Sequence, residues 1–259
     1  MHLDVIELKR FYYRTPLGRV AQTAIQGAIA RHWPDLRGGN LAGFGFPQPF
    51  LRPYRDGAQR VVALMPAEMG AFHWPAEGAN ISALADERRW PLPTGFVDRL
   101  LIVHALENSE RPGAVLAEAR RVLAPGGRVL FVAPNRAGLW ARRENTPFGH
   151  GRPYSVGQLE ARLREHQLEP LRHSAALYAP PTNRRFWLKL SRVAERTGLR
   201  LDARRLAGVI LVEAEKTAYA APRSGVAVES RAPLRALAGA VRPAPAPGRA
   251  RPARRDGEG

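Results

Sequence analysis

Two histidines and a tyrosine stand where this sequence could handle a proton. His104 closes the apolar run 99–104, while His150 and Tyr154 lie in a stretch, 142–155, dense in polar, aromatic and glycine residues. Imidazole titrates near neutrality, so either histidine could act as a base, and the Tyr154 phenol could line a pocket or donate a hydrogen bond. Each has a plainer reading beside it. A histidine in an apolar strand is commonly a hydrogen-bonded core residue, and residues 142–155 could simply lead into a helix capped by Ser155. A second group could bind rather than react. Gly43 and Gly45 end the apolar run 41–46, and a residue without Cβ lets a ligand approach the backbone. Glu68 follows the next apolar run, and Asp86 and Glu87 precede the one after it. Carboxylates there could accept hydrogen bonds from hydroxyl or amino groups. No metal site is expected. There is no cysteine, which removes thiolate ligands, disulfides and a thiol nucleophile, and the seven histidines form no HExxH, HxxEH or HxHxD pattern.

The elements that must carry these residues follow from periodicity. Residues 15–32 place Leu17, Val20, Ala21, Ala24, Ile25, Ala28 and Ile29 on one helical face. Short apolar runs at 41–46, 60–65, 99–104, 128–133 and 208–214 predict strands. Between the third and fourth, residues 112–123 form a helical pattern ending in Ala124-Pro125-Gly126-Gly127, a helix stop and tight turn. Residues 155–166 predict a further helix with Ser155 as its N-cap. Strand, helix, turn and strand in repetition predict an α/β fold with a parallel sheet and helices on both faces. Ligands of such sheets bind beyond the carboxyl ends of the strands, which is where the glycines, the three acids and His104 all fall.

The chain of 259 residues carries a formal net charge of +17. Of its 40 basic residues only Lys9, Lys189 and Lys216 are lysine, and the arginines are scattered without a dense run or an aromatic-basic ladder. Nucleic-acid binders cluster their cations, so a nucleic-acid partner is not expected. Residues 221–259 are built from Ala, Pro, Arg and Gly, with eight arginines against three acids; such a segment buries too little apolar surface to offset its entropy and is expected to be a disordered basic tail. The expected organisation is a domain over 1–220, its core at about 38–216, followed by that tail. No apolar stretch approaches the roughly 20 residues of a membrane span, and no basic-then-apolar leader opens the chain. A soluble cytoplasmic protein with a small-molecule substrate is the expectation, its oligomeric state unread.

Two segments sharpen the reading: Trp90-Pro91-Leu92-Pro93 through Asn108, and Leu116 through Asn135 with Arg121-Val122-Leu123-Ala124-Pro125-Gly126-Gly127 inside it. Together they resemble the central half of class I S-adenosylmethionine-dependent methyltransferases of the methyltransferase type 11 kind, over about residues 40–171. The resemblance implies a Rossmann-like, doubly wound, mostly parallel seven-stranded sheet and S-adenosyl-L-methionine as cofactor. It puts Gly43 at the acidic position of the first loop and Gly45 at the first of three glycines, with Pro47 and Pro49 in place of the other two. It puts Met65 where an acid usually holds the ribose, with Glu68 placed to substitute, and Asp86, beside Glu87, where an acceptor for the adenine amino group would be. His104 falls at a substrate-facing position, with His150 and Tyr154 in the following lid. Methyl transfer is an in-line displacement from an already activated donor, so alignment matters more than a fixed catalytic signature, and the arginine-rich surround favours an anionic acceptor. Two rivals remain: a binding module that kept the sheet but lost the cofactor, as the prolines and Met65 suggest, and a nucleic-acid-associated protein using the tail.

Overall fold

The computed structural model describes residues 3–200 and 204–217; the expected tail at 221–259 lies outside the described residues. Seven strands form one sheet: β1 (Asn40–Gly45), β2 (Arg60–Pro66), β3 (Ser82–Ala85), β4 (Val97–Val103), β5 (Leu123–Pro134), β6 (Leu168–Ala176) and β7 (Val209–Lys216). Their order is β3-β2-β1-β4-β5-β7-β6, with only β7 antiparallel to its neighbours. The expected mostly parallel seven-stranded sheet is thus what the chain forms. Its central strands are apolar without alternation because both faces are covered: Leu100, Leu101, Ile102 and Val103 of β4 are all buried.

Helices cover the sheet from both sides. On one side, α2 (Pro16–His32) buries Leu17, Ala21, Ile25, Ala28 and Ile29, its start fixed by the Thr15 side chain accepting from the Gly18 N–H and by Pro16 in the first turn. On the other side, α4 (Pro112–Val122) and α5 (Val156–Glu165) pack Val115, Leu116, Ala119, Leu159 and Leu163 with Leu100, Ile102, Val129 and Phe131. Ser155 and Gln158 form the capping box of α5. The segments that carried the family resemblance meet here. Arg121 donates to the carbonyls of Trp90 (3.1 Å) and Leu92 (2.9 Å), and Glu118 accepts from the Trp90 N–H (2.7 Å). The Arg-Val-Leu-x-Pro-Gly-Gly motif therefore clamps the loop that leads into β4.

Several elements lack a strong periodic signal. β3 has four residues, with one buried, and β6 is an edge strand whose register shifts at Pro170. Ahead of α2 lie α1 (Val5–Lys9) and a π-helical turn at Arg10–Arg14, and after β6 comes α6 (Arg185–Arg200). The predicted turn at 124–127 is absorbed into β5, whose first residue, Leu123, already pairs with Val97.

The end of α2 is locked to the sheet by one carboxylate. Glu213 of β7 is fully buried and accepts from His32 Nδ1 (3.1 Å), Trp33 Nε1 (2.9 Å) and Arg172 Nε (2.5 Å). Burial works to raise its pKa, but the hydrogen bonds from His32, Arg172 and Trp33 outweigh burial and hold it at about 2.

Candidate functional site

The chain reverses direction between β1 and β4, the position at which an open sheet of this kind offers a crevice. β1 reaches it at Gly45, whose φ is 100°. A Cβ there would lie 2.0 Å from the Val103 carbonyl oxygen, and the Phe46 N–H donates to that same oxygen at 2.8 Å. Only glycine lets the backbone turn this hard against β4. A Cβ on Gly43 would lie 2.4 Å from the Pro47 ring. Both glycines are thus consumed by the protein's own close packing, and Pro47 folds back over the strand end.

His104 is the first residue beyond β4 and has φ 54°, a left-handed conformation that side-chain-bearing residues seldom adopt and that clusters at functional sites. Its Nε2 lies 2.6 Å from the Tyr12 hydroxyl. Its Nδ1 lies 3.3 Å from Glu107 Oε1, within Coulombic reach but off-axis for a hydrogen bond. All three side chains are buried. Neither Glu107 oxygen has a hydrogen-bond partner among the described residues, nor does either amide atom of the fully buried Gln48 at the start of α3 (Gln48–Leu51). Burial first, and then the Glu107 carboxylate, keep the Tyr12 phenol well above its ordinary range. Unpartnered buried polar groups are uncommon in native interiors, and five of the nine such side-chain atoms among the described residues belong to Gln48, His104 and Glu107.

Tyr12 comes from the segment ahead of α2. The Val5 N–H donates to the Met69 carbonyl at 3.0 Å, which pins α1 over the loop after β2. The following π-helical turn then drives Tyr12 inward, where it stacks on Phe46 (ring centroids 5.7 Å apart) and meets Phe50 edge-on (5.6 Å). Phe11 and His104 both pack against Phe148, at 6.1 and 5.0 Å. What remains at the strand ends is a hollow of about 20 Å³, lined by Leu3, Glu68, Met69, Glu87 and His104 among others. That is room for about one water.

The sequence-derived candidates divide accordingly. Glu68, Glu87 and His104 line this hollow, with Glu87 accepting from the Ser109 hydroxyl at 2.8 Å. Met65 is fully buried in the core near the end of β2. Asp86 is exposed. Its carboxylate accepts from the Arg88 N–H at 2.7 Å, which is the main cause holding it below the ordinary carboxylate range. His150 lines a separate hollow of about 340 Å³ with Glu7, Arg10, Phe11, Thr15 and Glu144, and Leu3 borders both spaces. Tyr154 bridges to Asn135 at the end of β5 and packs with the α4–α5 side; burial raises its phenol. Asn135, just past β5, donates its side-chain amide to the Ala207 carbonyl (2.8 Å). Sequence reasoning missed Tyr12, Gln48, Glu107 and Phe148. The apolar spacing Leu3, Val5, Leu8, Phe11 and Tyr12 was the available signal for the first of them.

The donor set suits a polar ligand, and the space does not. Ligand pockets usually measure about 300–1,000 Å³, so with residues 3–14 in place the hollow cannot admit the nucleoside cofactor that the resemblance implies. Among the described residues no group of three or more His, Asp or Glu is placed to hold a metal ion, and no helix is long and apolar enough to cross a membrane.

Residues 42–131 match a family model described as a methyltransferase domain. Two curated relatives are ubiquinone/menaquinone biosynthesis C-methyltransferases. That of Acidiphilium cryptum is 34% identical over 39% of this chain and 36% of its own length; that of Cupriavidus metallidurans is 42% identical over 19% and 21%. This chain therefore spans about a fifth to a third of the curated relatives it matches. Among solved structures, a SAM-dependent methyltransferase from Thermotoga maritima superposes with a TM-score of 0.59 at 18% identity, covering 82% of this chain and 96% of that one. One from Aquifex aeolicus superposes with a TM-score of 0.54 at 14% identity, covering 83% and 100%. At such identities the likeness is one of fold.

Proposed function

We propose that this chain, whose residues 42–131 match a methyltransferase domain, is an S-adenosylmethionine-dependent methyltransferase acting on a small-molecule acceptor, and that the cofactor enters when residues 3–14 lift from the ends of β1 and β4. The observation that carries this reading is the buried Tyr12–His104–Glu107 chain at the strand reversal, with unpartnered groups on Glu107 and Gln48. A ligand with several hydrogen-bonding groups would supply partners that the closed arrangement withholds. Glu68 and Glu87, on the loops after β2 and β3, line the hollow and are the acids assigned to ribose or adenine; Asp86 is exposed and does not line it.

The cofactor would supply an electrophilic methyl group, leaving alignment to the protein. His104, once released from Tyr12, would present Nε2 as a proton acceptor at the end of β4, its Nδ1 side steadied by Glu107. The larger hollow at His150, whose wall outside the lifting segment includes Thr15, Glu144, Asn145 and Thr146, is the space assigned to the acceptor.

Calorimetric titration with S-adenosylmethionine tests the reading. Binding at micromolar levels, about −8 kcal/mol, is expected. Absence of heat with both the native chain and a Tyr12→Ala variant would discard it in favour of a methyltransferase-like binding module, the reading favoured by Pro47 over Gly43 and by Met65 at the end of β2.

A further inference from the structure

A further cavity is remote from the strand ends. It is a groove of about 680 Å³ between α2 and α6. Its apolar lining includes Val20, Ala24, Leu188 and Leu199, and four cations stand on it: Arg19 and Arg31 from α2, Lys189 and Arg196 from α6. Its single acid, Glu195, is turned inward and accepts from the Tyr178 N–H at 2.7 Å.

The opposite flank of α6 is unusual for a water-facing surface. At 100° per residue, Phe186, Leu190 and Val193 fall in one stripe at i, i+4 and i+7. Leu188, Ser191 and Glu195 fall on the opposite side, facing the domain. Phe186 is 65% exposed, Val193 56% and Trp187 40%. Of the ten large apolar side chains exposed among the described residues, three, Phe186, Trp187 and Val193, lie on α6 away from its domain-facing side, a local concentration of exposed apolar surface. Lys189 and Arg196 stand between the stripe and the groove.

We propose that α6, with the groove beside it, docks this chain flat on the surface of an anionic phospholipid bilayer. The apolar stripe enters the boundary between headgroups and acyl chains, and Lys189 and Arg196, which flank it, receive lipid phosphates. A helix with a basic flank, an apolar face carrying Phe and Trp, and little acid on its outer side has the character of an interfacial helix. Alternative occupants match less of it. A second copy meeting this face about a two-fold axis would bring like charges together, and a nucleic acid would leave Phe186 and Val193 without use.

The test is co-sedimentation of the full chain with vesicles of phosphatidylglycerol and phosphatidylcholine mixed, and of phosphatidylcholine alone. Binding to the anionic vesicles only, weakened by salt, is expected. The Phe186→Ser/Val193→Ser variant keeps every charge and should lose affinity by about tenfold or more. Lys189→Glu/Arg196→Glu should lose at least as much, with circular dichroism confirming that both variants fold. Equal binding by the native chain and the serine variant would assign adhesion to other basic segments and overturn the proposal. So would equal affinity for neutral vesicles, or no binding to either.

Discussion

Tyr12→Phe isolates the closing contact from the packing around it. The variant keeps the ring that stacks on Phe46 and meets Phe50, and it removes only the hydroxyl 2.6 Å from His104 Nε2. A buried hydrogen bond contributes about 1 kcal/mol net, and leaving its partner unsatisfied costs about 1–3 kcal/mol. The closed arrangement should therefore weaken against the open one by about 1–3 kcal/mol, which shifts their ratio about 5- to 150-fold. Apparent affinity scales with the fraction of molecules able to bind. Because the closed hollow holds about 20 Å³, that fraction is small in the native chain and rises nearly in proportion. S-adenosylmethionine should thus bind Tyr12→Phe at least about fivefold more tightly by calorimetry, while amide exchange quickens at residues 5–14 and stays unchanged in β4. Affinity within about twofold of the native value, with residues 5–14 still protected, would refute gating by this contact. Weaker binding would instead make the hydroxyl a ligand of the cofactor.

Three further outcomes follow from the geometry. Glu213→Gln should cost about 3 kcal/mol near neutrality, from a native pKa of about 2 against an ordinary 4.5. A depressed carboxylate pKa stabilises the fold above the unfolded-state value and loses that contribution as pH falls toward the folded-state one. The deficit of the variant in urea unfolding should therefore close between about pH 4.5 and pH 2; a pH-independent deficit would count against it. Gly45→Ala, with φ 100° and a Cβ 2.0 Å from a carbonyl oxygen, should lower stability by several kcal/mol, on the order of 2–4, and a melting temperature near native would contradict the assigned close approach. Arg121→Ala removes the donor to the Trp90 and Leu92 carbonyls; faster amide exchange at residues 90–95 is expected, with a lower melting temperature.

The legible part of this fold was the part with strong periodicity or strong punctuation. α2, α4 and α5 announced themselves by apolar spacing and by Ser155, and the central strands by unbroken apolar runs. β3 and β6 are edge strands with few buried residues, so neither apolar runs nor alternation marked them. At the site, His104 was visible because a polar residue ended an apolar run. Gly43 and Gly45 were visible as glycines, but not that Pro47 and Val103 already fill the space beside them. The largest omission was Tyr12. It lies 92 positions from His104, and such a contact depends on how the segment ahead of α2 returns across the sheet, which no local pattern encodes. Glu107 was overlooked for a related reason: a lone acid three residues after His104 reads as loop until its burial is known.

The backbone at His104 also restricts which side chains evolution or a mutagenesis library can place there. With φ at 54°, Gly, Asn and Asp can follow the same path, whereas Val, Ile and Thr would be expelled by their branched Cβ. A saturation survey of position 104 would therefore sort first by foldability and only afterwards by chemistry. Asn, which keeps a hydrogen-bonding group and lacks a titrating ring, is the replacement from which the proton-carrying value of this histidine can be read.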